Sequence, residues 1–239
     1  DGRPKLAYDG SGREYAYTYS SHTIGGEYRL EQVELTHRSS AVTTVNYEYY
    51  PSTVSGKGTE GDLRQVTVTT PLSDGQSLVQ TKYYRYYTGT VQAIKFIVGY
   101  EGVRLYGSTG YLTDTDANLK PYTEAFFDYY DNLGTDGAFR FGKIKTAFFN
   151  GECGCGGKGN GLHEFDYEQN TSTYSDGSGY DEEWATRTIV TNPIGLKNVM
   201  YFDETGQSLG NVQVEGSLSS PTNYWASPIT RDSLGLMTE

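Results

Sequence analysis

The residues with the clearest metal-binding chemistry are two cysteines and one histidine in a glycine-rich stretch. Cys153 and Cys155 are separated by a single glycine, and His163 follows them. Thiolates and an imidazole are ligands that zinc prefers, but a fourth ligand is not evident and C-x-C is tighter than the usual C-x-x-C. The cysteines could instead form a disulfide, strained across so short a ring, or stay free thiols. We therefore expect no metal site, with Cys153, Cys155 and His163 as the only zinc candidates.

A second group of candidate metal ligands is rich in oxygen and has part of the spacing of a calcium-binding loop. Asp114, Asp116 and Asn118 alternate as the first ligands of such a loop do, but Leu119 stands where a turn glycine is needed and Ala125 where the last carboxylate belongs. The group is therefore not an EF-hand. Calcium in an acidic loop remains an alternative, and helix capping is the favoured interpretation.

The sequence contains little that indicates catalysis. His22, His37 and His163 are its only histidines, and no nucleophile elbow, P-loop or H-E-x-x-H motif accompanies them. Adjacent acids such as those at 181–183 are usually solvated on a turn. We expect no enzymatic activity, no catalytic residue and no cofactor.

Aromatic and hydroxyl-rich segments indicate surface chemistry of another kind. The 23 tyrosines, with Trp184 and Trp225, could present rings to sugars, although most will belong to the core or to the sheet. Asn170 begins an N-x-S/T acceptor sequence, which makes it a glycosylation candidate.

The charge of the chain excludes several classes of partner. The net charge is −11, with 30 acidic and 19 basic residues and no lysine or arginine cluster. This balance disfavours nucleic acid and anionic membranes. No apolar stretch approaches the length of a membrane span, so we expect no membrane insertion.

The elements that carry these residues are predicted to be almost entirely β-strands. Tyrosine suits a half-buried pleated surface, and 30 glycines supply frequent turns. One short helix at most is expected, near 114–122, where Thr or Asp caps precede a short apolar pattern. Nine strands are predicted from alternation: Glu14–Tyr19, Tyr28–Thr36, Val42–Tyr50, Leu63–Thr69, Leu78–Tyr87, Ala93–Gly99, Thr186–Thr191, Lys197–Asp203 and Ser208–Glu215.

A loose internal repeat organises these strands. An aromatic residue, an acid and a glycine turn occur at Tyr8–Arg13 and again at Tyr201–Gln207, and weaker aromatic copies between them recur at intervals of 35 to 44 residues. We expect a single β-domain over 1–239 made of about six irregular repeats. Loop-rich stretches at 151–161 and 169–181 are its candidate internal boundaries.

The repeat resembles the YD (RHS) repeat of long bacterial cell-surface proteins. The matching motif residues are Tyr8, Asp9, Gly12 and Arg13, then Tyr201, Asp203 and Gly206, with Gln207 in place of the arginine. Further matches lie at Gly61–Thr67 and Thr191–Gly195, and the likeness covers most of the chain.

The resemblance implies a spiralling ribbon of antiparallel β-hairpins, which in long members closes into a shell around a toxin or forms the barrel of an adhesion protein. This chain has too few repeats for a closed shell and lacks the aspartyl self-cleavage core of such shells. We therefore expect a non-enzymatic extracellular or cell-surface scaffold. Its open strand edges would pair with copies of itself in a fibre, or with the rest of a longer YD-repeat chain. The alternative is a fragment of a shell or adhesin that binds glycans or a partner cell surface.

Overall fold

The structure, a computed structural model, describes residues 2–21, 23, 26–37, 40–107, 109–149, 161–170, 184–231 and 237–238. Most of these residues lie in antiparallel strands, which confirms the all-β prediction. Strands that pair in chain order are β1 (Leu6–Tyr8), β2 (Arg13–Tyr19), β3 (Leu30–His37), β4 (Ser40–Tyr49), β5 (Leu63–Pro71), β6 (Ser77–Tyr86), β7 (Ile94–Val98), β8 (Ala125–Tyr129), β9 (Ile144–Phe149), β10 (Leu162–Gln169), β11 (Thr186–Thr191), β12 (Lys197–Phe202), β13 (Ser208–Ser217) and β14 (Ser220–Pro228). A separate short pair is formed by β15 (Thr230–Arg231) and β16 (Met237–Thr238).

All nine predicted strands are confirmed, with ends that differ by at most two residues. Seven strands of the described residues were not predicted from the sequence. β10 does alternate, with Phe165 and Tyr167 between Glu164, Asp166 and Glu168, but it was not selected as a strand. β14 contains Pro221 and Pro228, and proline within a run argues against a strand.

The helices are few and short. The helix expected near 114–122 is α2 (Asp116–Leu119), and the hydroxyl of Thr115 caps it by accepting a hydrogen bond from the Asn118 amide at 3.3 Å. The helices α1 (Tyr100–Tyr106) and α3 (Leu133–Arg140) exceed the single helix expected. None of the helices in the described ranges has the length and apolar character needed to cross a bilayer.

The chain divides into two compact units, Asp1–Phe126 (unit 1) and Phe127–Glu239 (unit 2). The division falls within β8. The predicted boundary stretches 151–161 and 169–181 lie almost entirely outside the described residues.

Each unit has its own small core. In unit 1, Phe96 and Phe126 stack at a ring separation of 5.5 Å beside the fully buried Val98 and Leu119. The apolar cluster of unit 2 lies on one face of β11–β13. It consists of Ile189, Val199 and Val214, with Tyr201, Val212 and Leu218 packed against them.

Tyrosine hydroxyl groups connect strands that are adjacent or that have one strand between them. Four of the thirteen buried hydrophobic residues of the described ranges are tyrosines, and several others are half-buried. Because a buried hydroxyl needs a partner, tyrosine rings at these positions add a hydrogen bond to the apolar contact. The hydroxyls that donate to main-chain carbonyls at 2.8–2.9 Å are those of Tyr49 to Leu30, Tyr50 to Tyr84, Tyr86 to Leu63 and Tyr130 to Phe165.

Six hairpin turns share a closure, by which we mean the same pair of main-chain hydrogen bonds across the turn. The amide of the first residue donates to the carbonyl of the last, and the amide of the glycine just before the last donates back to the carbonyl of the first. All six glycines have φ between 78° and 87°, the left-handed region that residues with a Cβ avoid. The first, glycine and last residues are Asp9, Gly12 and Arg13; Tyr50, Gly61 and Asp62; Leu72, Gly75 and Gln76; Tyr130, Gly142 and Lys143; Asn192, Gly195 and Leu196; and Asp203, Gly206 and Gln207.

We predict that Gly75→Ala lowers the free energy of unfolding by about 1–2 kcal/mol, because its φ of 82° is strained for alanine although no atom lies within 4 Å of the added Cβ. Gly89→Ala is the matched control, since that glycine is equally open but lacks a positive φ. Urea unfolding followed by circular dichroism measures both. Equal effects of the two substitutions would contradict the role assigned to the closing glycine.

Candidate functional site

The N-terminal repeat-motif residues build a turn. One carboxylate oxygen of Asp9 accepts from the amide and hydroxyl of Ser11, at 2.9 and 2.7 Å, and from the Arg13 amide at 3.1 Å. Its other oxygen accepts from Nε of Arg13 at 2.6 Å. Gly12 closes the hairpin between them. The acid and the arginine therefore satisfy each other and the exposed amides of the loop.

The C-terminal copy has the same internal geometry without the arginine. Asp203 accepts from the amide and hydroxyl of Thr205, at 2.8 and 2.7 Å, and from the Gln207 amide at 2.9 Å, while Gly206 closes the turn. Asn192 accepts in the same way from the amides of Ile194 and Leu196, at 3.1 and 2.9 Å. An acid or amide at the first turn position is thus the acceptor that fixes the loop.

The aromatic residues of the motif have different surroundings in its two copies. Tyr8 is 67% exposed, and its pKa is raised chiefly by its hydrogen bond with Glu14. The ring of Tyr201 packs edge-on against Trp184 with centroids 5.7 Å apart. The seven predicted motif residues therefore lie at two turns and their strands, one turn in unit 1 and the other in unit 2.

The densest cluster of charged groups in unit 1 surrounds Arg85, a residue that the sequence analysis did not select. Its side chain is 1% exposed. The guanidinium donates to Asp116 at 2.6 Å, to the Tyr83 hydroxyl at 2.9 Å, and to the carbonyls of Tyr111 and Asp114 at 3.1 and 2.7 Å. The buried guanidinium group therefore holds the 109–116 segment against β6. The only sequence signal was an arginine at an inward-facing position of a tyrosine-rich strand.

Two lysines reinforce the same cluster. Lys95 forms an ion pair with the second oxygen of Asp116, and Lys57 donates to the carbonyls of Leu112 and Thr113 at 3.2 Å each. Burial and then the charge of Arg85 lower the pKa of Lys57. Cations from three different segments therefore hold one connection between β7 and β8.

The acids with calcium-like spacing take capping and pairing roles. Asp114 accepts from the Thr115 amide at 2.7 Å and from the Asn118 side-chain amide at 2.8 Å, and the Tyr106 hydroxyl donates to its other oxygen. The hydrogen bond from Tyr106 is the main reason that the pKa of Asp114 is lowered. These contacts agree with the favoured capping interpretation, since protein donors already occupy both oxygens of Asp114.

The zinc candidates are not brought together within the described residues. Cys153 and Cys155 lie outside the described ranges. His163 packs edge-on against Phe149 at 5.6 Å, with Nδ1 3.3 Å from the Gly161 carbonyl oxygen. Among the residues that the structure describes, no three His, Cys, Asp or Glu side chains form a group that could hold a metal ion.

The two tryptophans do not share one surface. Trp184 lies beside Tyr201, Val212 and Ala226, whereas Trp225 precedes Ala226 on β14 and so points to the opposite side of that strand. A single aromatic stripe for sugars is therefore not formed by this pair. The Asn170 amide donates to the Ala185 carbonyl at 2.9 Å, but the rest of its acceptor sequence lies outside the described ranges. Glycosylation of Asn170 stays a prediction.

No protein-family model matches this chain, and no curated protein matches its sequence. The YD-repeat resemblance therefore rests on the motifs themselves and stays a prediction.

We predict that Arg85→Met lowers the free energy of unfolding by about 3 kcal/mol, because one oxygen of Asp116 and the carbonyls of Tyr111 and Asp114 lose their donor. Hydrogen–deuterium exchange should show faster exchange at 109–119, with β2–β4 unchanged. Arg104→Met in α1 is the matched control, since its ion pair with Glu101 is exposed to solvent and is expected to contribute little to stability. Similar losses in the two variants would exclude the role given to Arg85.

A second prediction concerns acid pH. The hydrogen bonds from Ser11 and Arg13 hold the pKa of Asp9 far below its ordinary value of 3.8, so the ionised carboxylate stabilises the folded state above that pH. That stabilisation is lost as the pH falls from 3.8 towards the lower pKa of the folded state. Asp9→Asn should therefore be less stable than the parent at pH 7, with a smaller difference at about pH 3. A difference in urea midpoint that does not change with pH would refute this assignment.

Proposed function

We propose that this chain is a non-enzymatic β-scaffold of an extracellular or cell-surface protein, in which hairpins are added one after another to extend a sheet. The single observation that supports this most is the hairpin closure repeated six times. The residues with catalytic chemistry in the repeat motif, Asp9 and Asp203, are fully engaged in forming turns. In these turns the acidic side chains stabilise the backbone conformation of the loops.

We further propose that the scaffold self-associates through a terminal strand. β14 is the last strand of its sheet order, and its residues 221–227 are exposed. An unpaired edge offers main-chain donors and acceptors to another strand. Tyr224 and Trp225 on this strand are 68% and 53% exposed, which adds apolar contact to such pairing. Pro221 and Pro228 limit the paired length to the residues between them.

The test is static light scattering of the purified 239-residue chain over a wide concentration range, together with negative-stain microscopy. We expect the mean mass to rise with concentration and filaments to appear. Tyr224→Lys should suppress assembly, because a lysine on an edge strand opposes the addition of another strand. Ile194→Lys is the matched control: Ile194 is 86% exposed but lies in a turn, so assembly should persist.

A monomer at every concentration would overturn the self-associating scaffold and leave a segment whose edges pair within a longer chain. Equal suppression by both lysine variants would show that assembly depends on surface hydrophobicity and not on the edge of β14.

A further inference from the structure

A row of polar side chains crosses five adjacent strands of unit 2. Glu164 on β10 lies opposite Thr146 on β9 and Thr191 on β11, and Thr191 lies opposite Lys197 on β12. The Thr146 hydroxyl is 3.4 Å from the carboxylate of Asp128 on β8. These five residues, which we call the polar row, therefore present one hydrogen-bonding side chain per strand at the interstrand spacing of about 4.8 Å.

The polar row lies in a groove. Four of its members line a cavity of about 390 Å³, together with Tyr130, Ile189 and Leu218. The Tyr130 hydroxyl donates to the Phe165 carbonyl at 2.9 Å, which fixes the ring at the side of the groove. The groove thus combines a line of polar atoms with the aliphatic side chain of Leu218, while Tyr130 and Ile189 are only 8% and 5% exposed and belong to its buried wall.

Only two members of the polar row offer groups that the fold does not use. Thr146 donates to Asp128, and Nζ of Lys197 donates to the Gly216 carbonyl at 2.7 Å. Asp166 and Glu168, on the same strand as Glu164, are paired with Arg140 and Arg187 at 2.9 and 2.6 Å. In the described part of the chain, by contrast, the Glu164 carboxylate and the Thr191 hydroxyl make no side-chain hydrogen bond to another described residue. These two groups are available to a ligand.

The groove carries charges of both signs, because Glu164, Asp166 and Glu168 line it together with two lysines, and this mixture favours a neutral ligand. Unit 2 has 16 acidic residues and only 7 basic ones, so a polyanion is repelled. Lys145 and Lys197 in the groove disfavour a polycation. A peptide strand has no free edge here, because β10 is paired on both sides with β9 and β11, so recognition must come from side chains.

We propose that this groove binds a neutral linear oligosaccharide that lies across the strands. Sugar hydroxyls would exchange hydrogen bonds with Glu164 and Thr191, and an apolar sugar face would pack on Leu218. The site goes beyond the scaffold function and does not depend on self-association.

The experiment is isothermal titration of the purified chain with cellohexaose and chitohexaose, each compared with heparin and polylysine. Thr191→Val keeps the shape and removes the hydroxyl, so it should weaken binding about three- to tenfold. Glu164→Gln should weaken it by removing a charged acceptor. Thr188→Val is the matched control, because Thr188 lies on the same strand but on its other face.

Selective loss of affinity in Thr191→Val and Glu164→Gln, with Thr188→Val unchanged, is the expected result. The inference is overturned if neither hexasaccharide binds at millimolar concentration, if only heparin or polylysine binds, or if the two threonine variants lose affinity equally. Circular dichroism of each variant identifies any that fail to fold. Because the titration is done on dissociated protein, its outcome is separate from that of the assembly test.

Discussion

The guanidinium of Arg85 imposes the strongest constraint on unit 1. A buried cation is stable only if it is paired with a charge and its remaining N–H groups are hydrogen-bonded. Asp116, Tyr83 and two main-chain carbonyls meet that requirement, and each must hold its position for the others to be satisfied. The helical connection between β7 and β8 is therefore determined less by its own helix propensity than by one side chain on β6.

Elsewhere the polar groups serve the turns and the strand-to-strand contacts. Asp9, Asn192 and Asp203 fix their loops from within, while tyrosine hydroxyls reach carbonyls on nearby strands. Both kinds of hydrogen bond give a polar atom a partner within the same turn or on a nearby strand. This explains how the described part of a chain rich in tyrosine and glycine can maintain many strands although its apolar clusters are small.

Sequence reasoning succeeded where one local rule controls the structure. β11 was predicted with its observed ends at Thr186 and Thr191, because its apolar alternation and flanking turns agree. β10 was missed although Phe165 and Tyr167 alternate with its three acids, and α1 was missed because it is short. The polar row and the partners of Arg85 could not be predicted, since both depend on register between strands and on contacts between distant residues. The motif acids were identified, but their role as internal acceptors appears only in the geometry.

The chain-order pairing of the strands also has a kinetic consequence. Each strand pairs with the next one along the chain, after connections that range from 2 residues to the 26 residues of the helical segment between β7 and β8. Because the entropy of loop closure rises only slowly with loop length, pairing does not wait for the distant end of the chain. Folding can then proceed from the first hairpin onward while later residues are still emerging from a ribosome or an export channel. Each new hairpin covers the edge left by the previous one, so the growing sheet exposes one leading edge at a time.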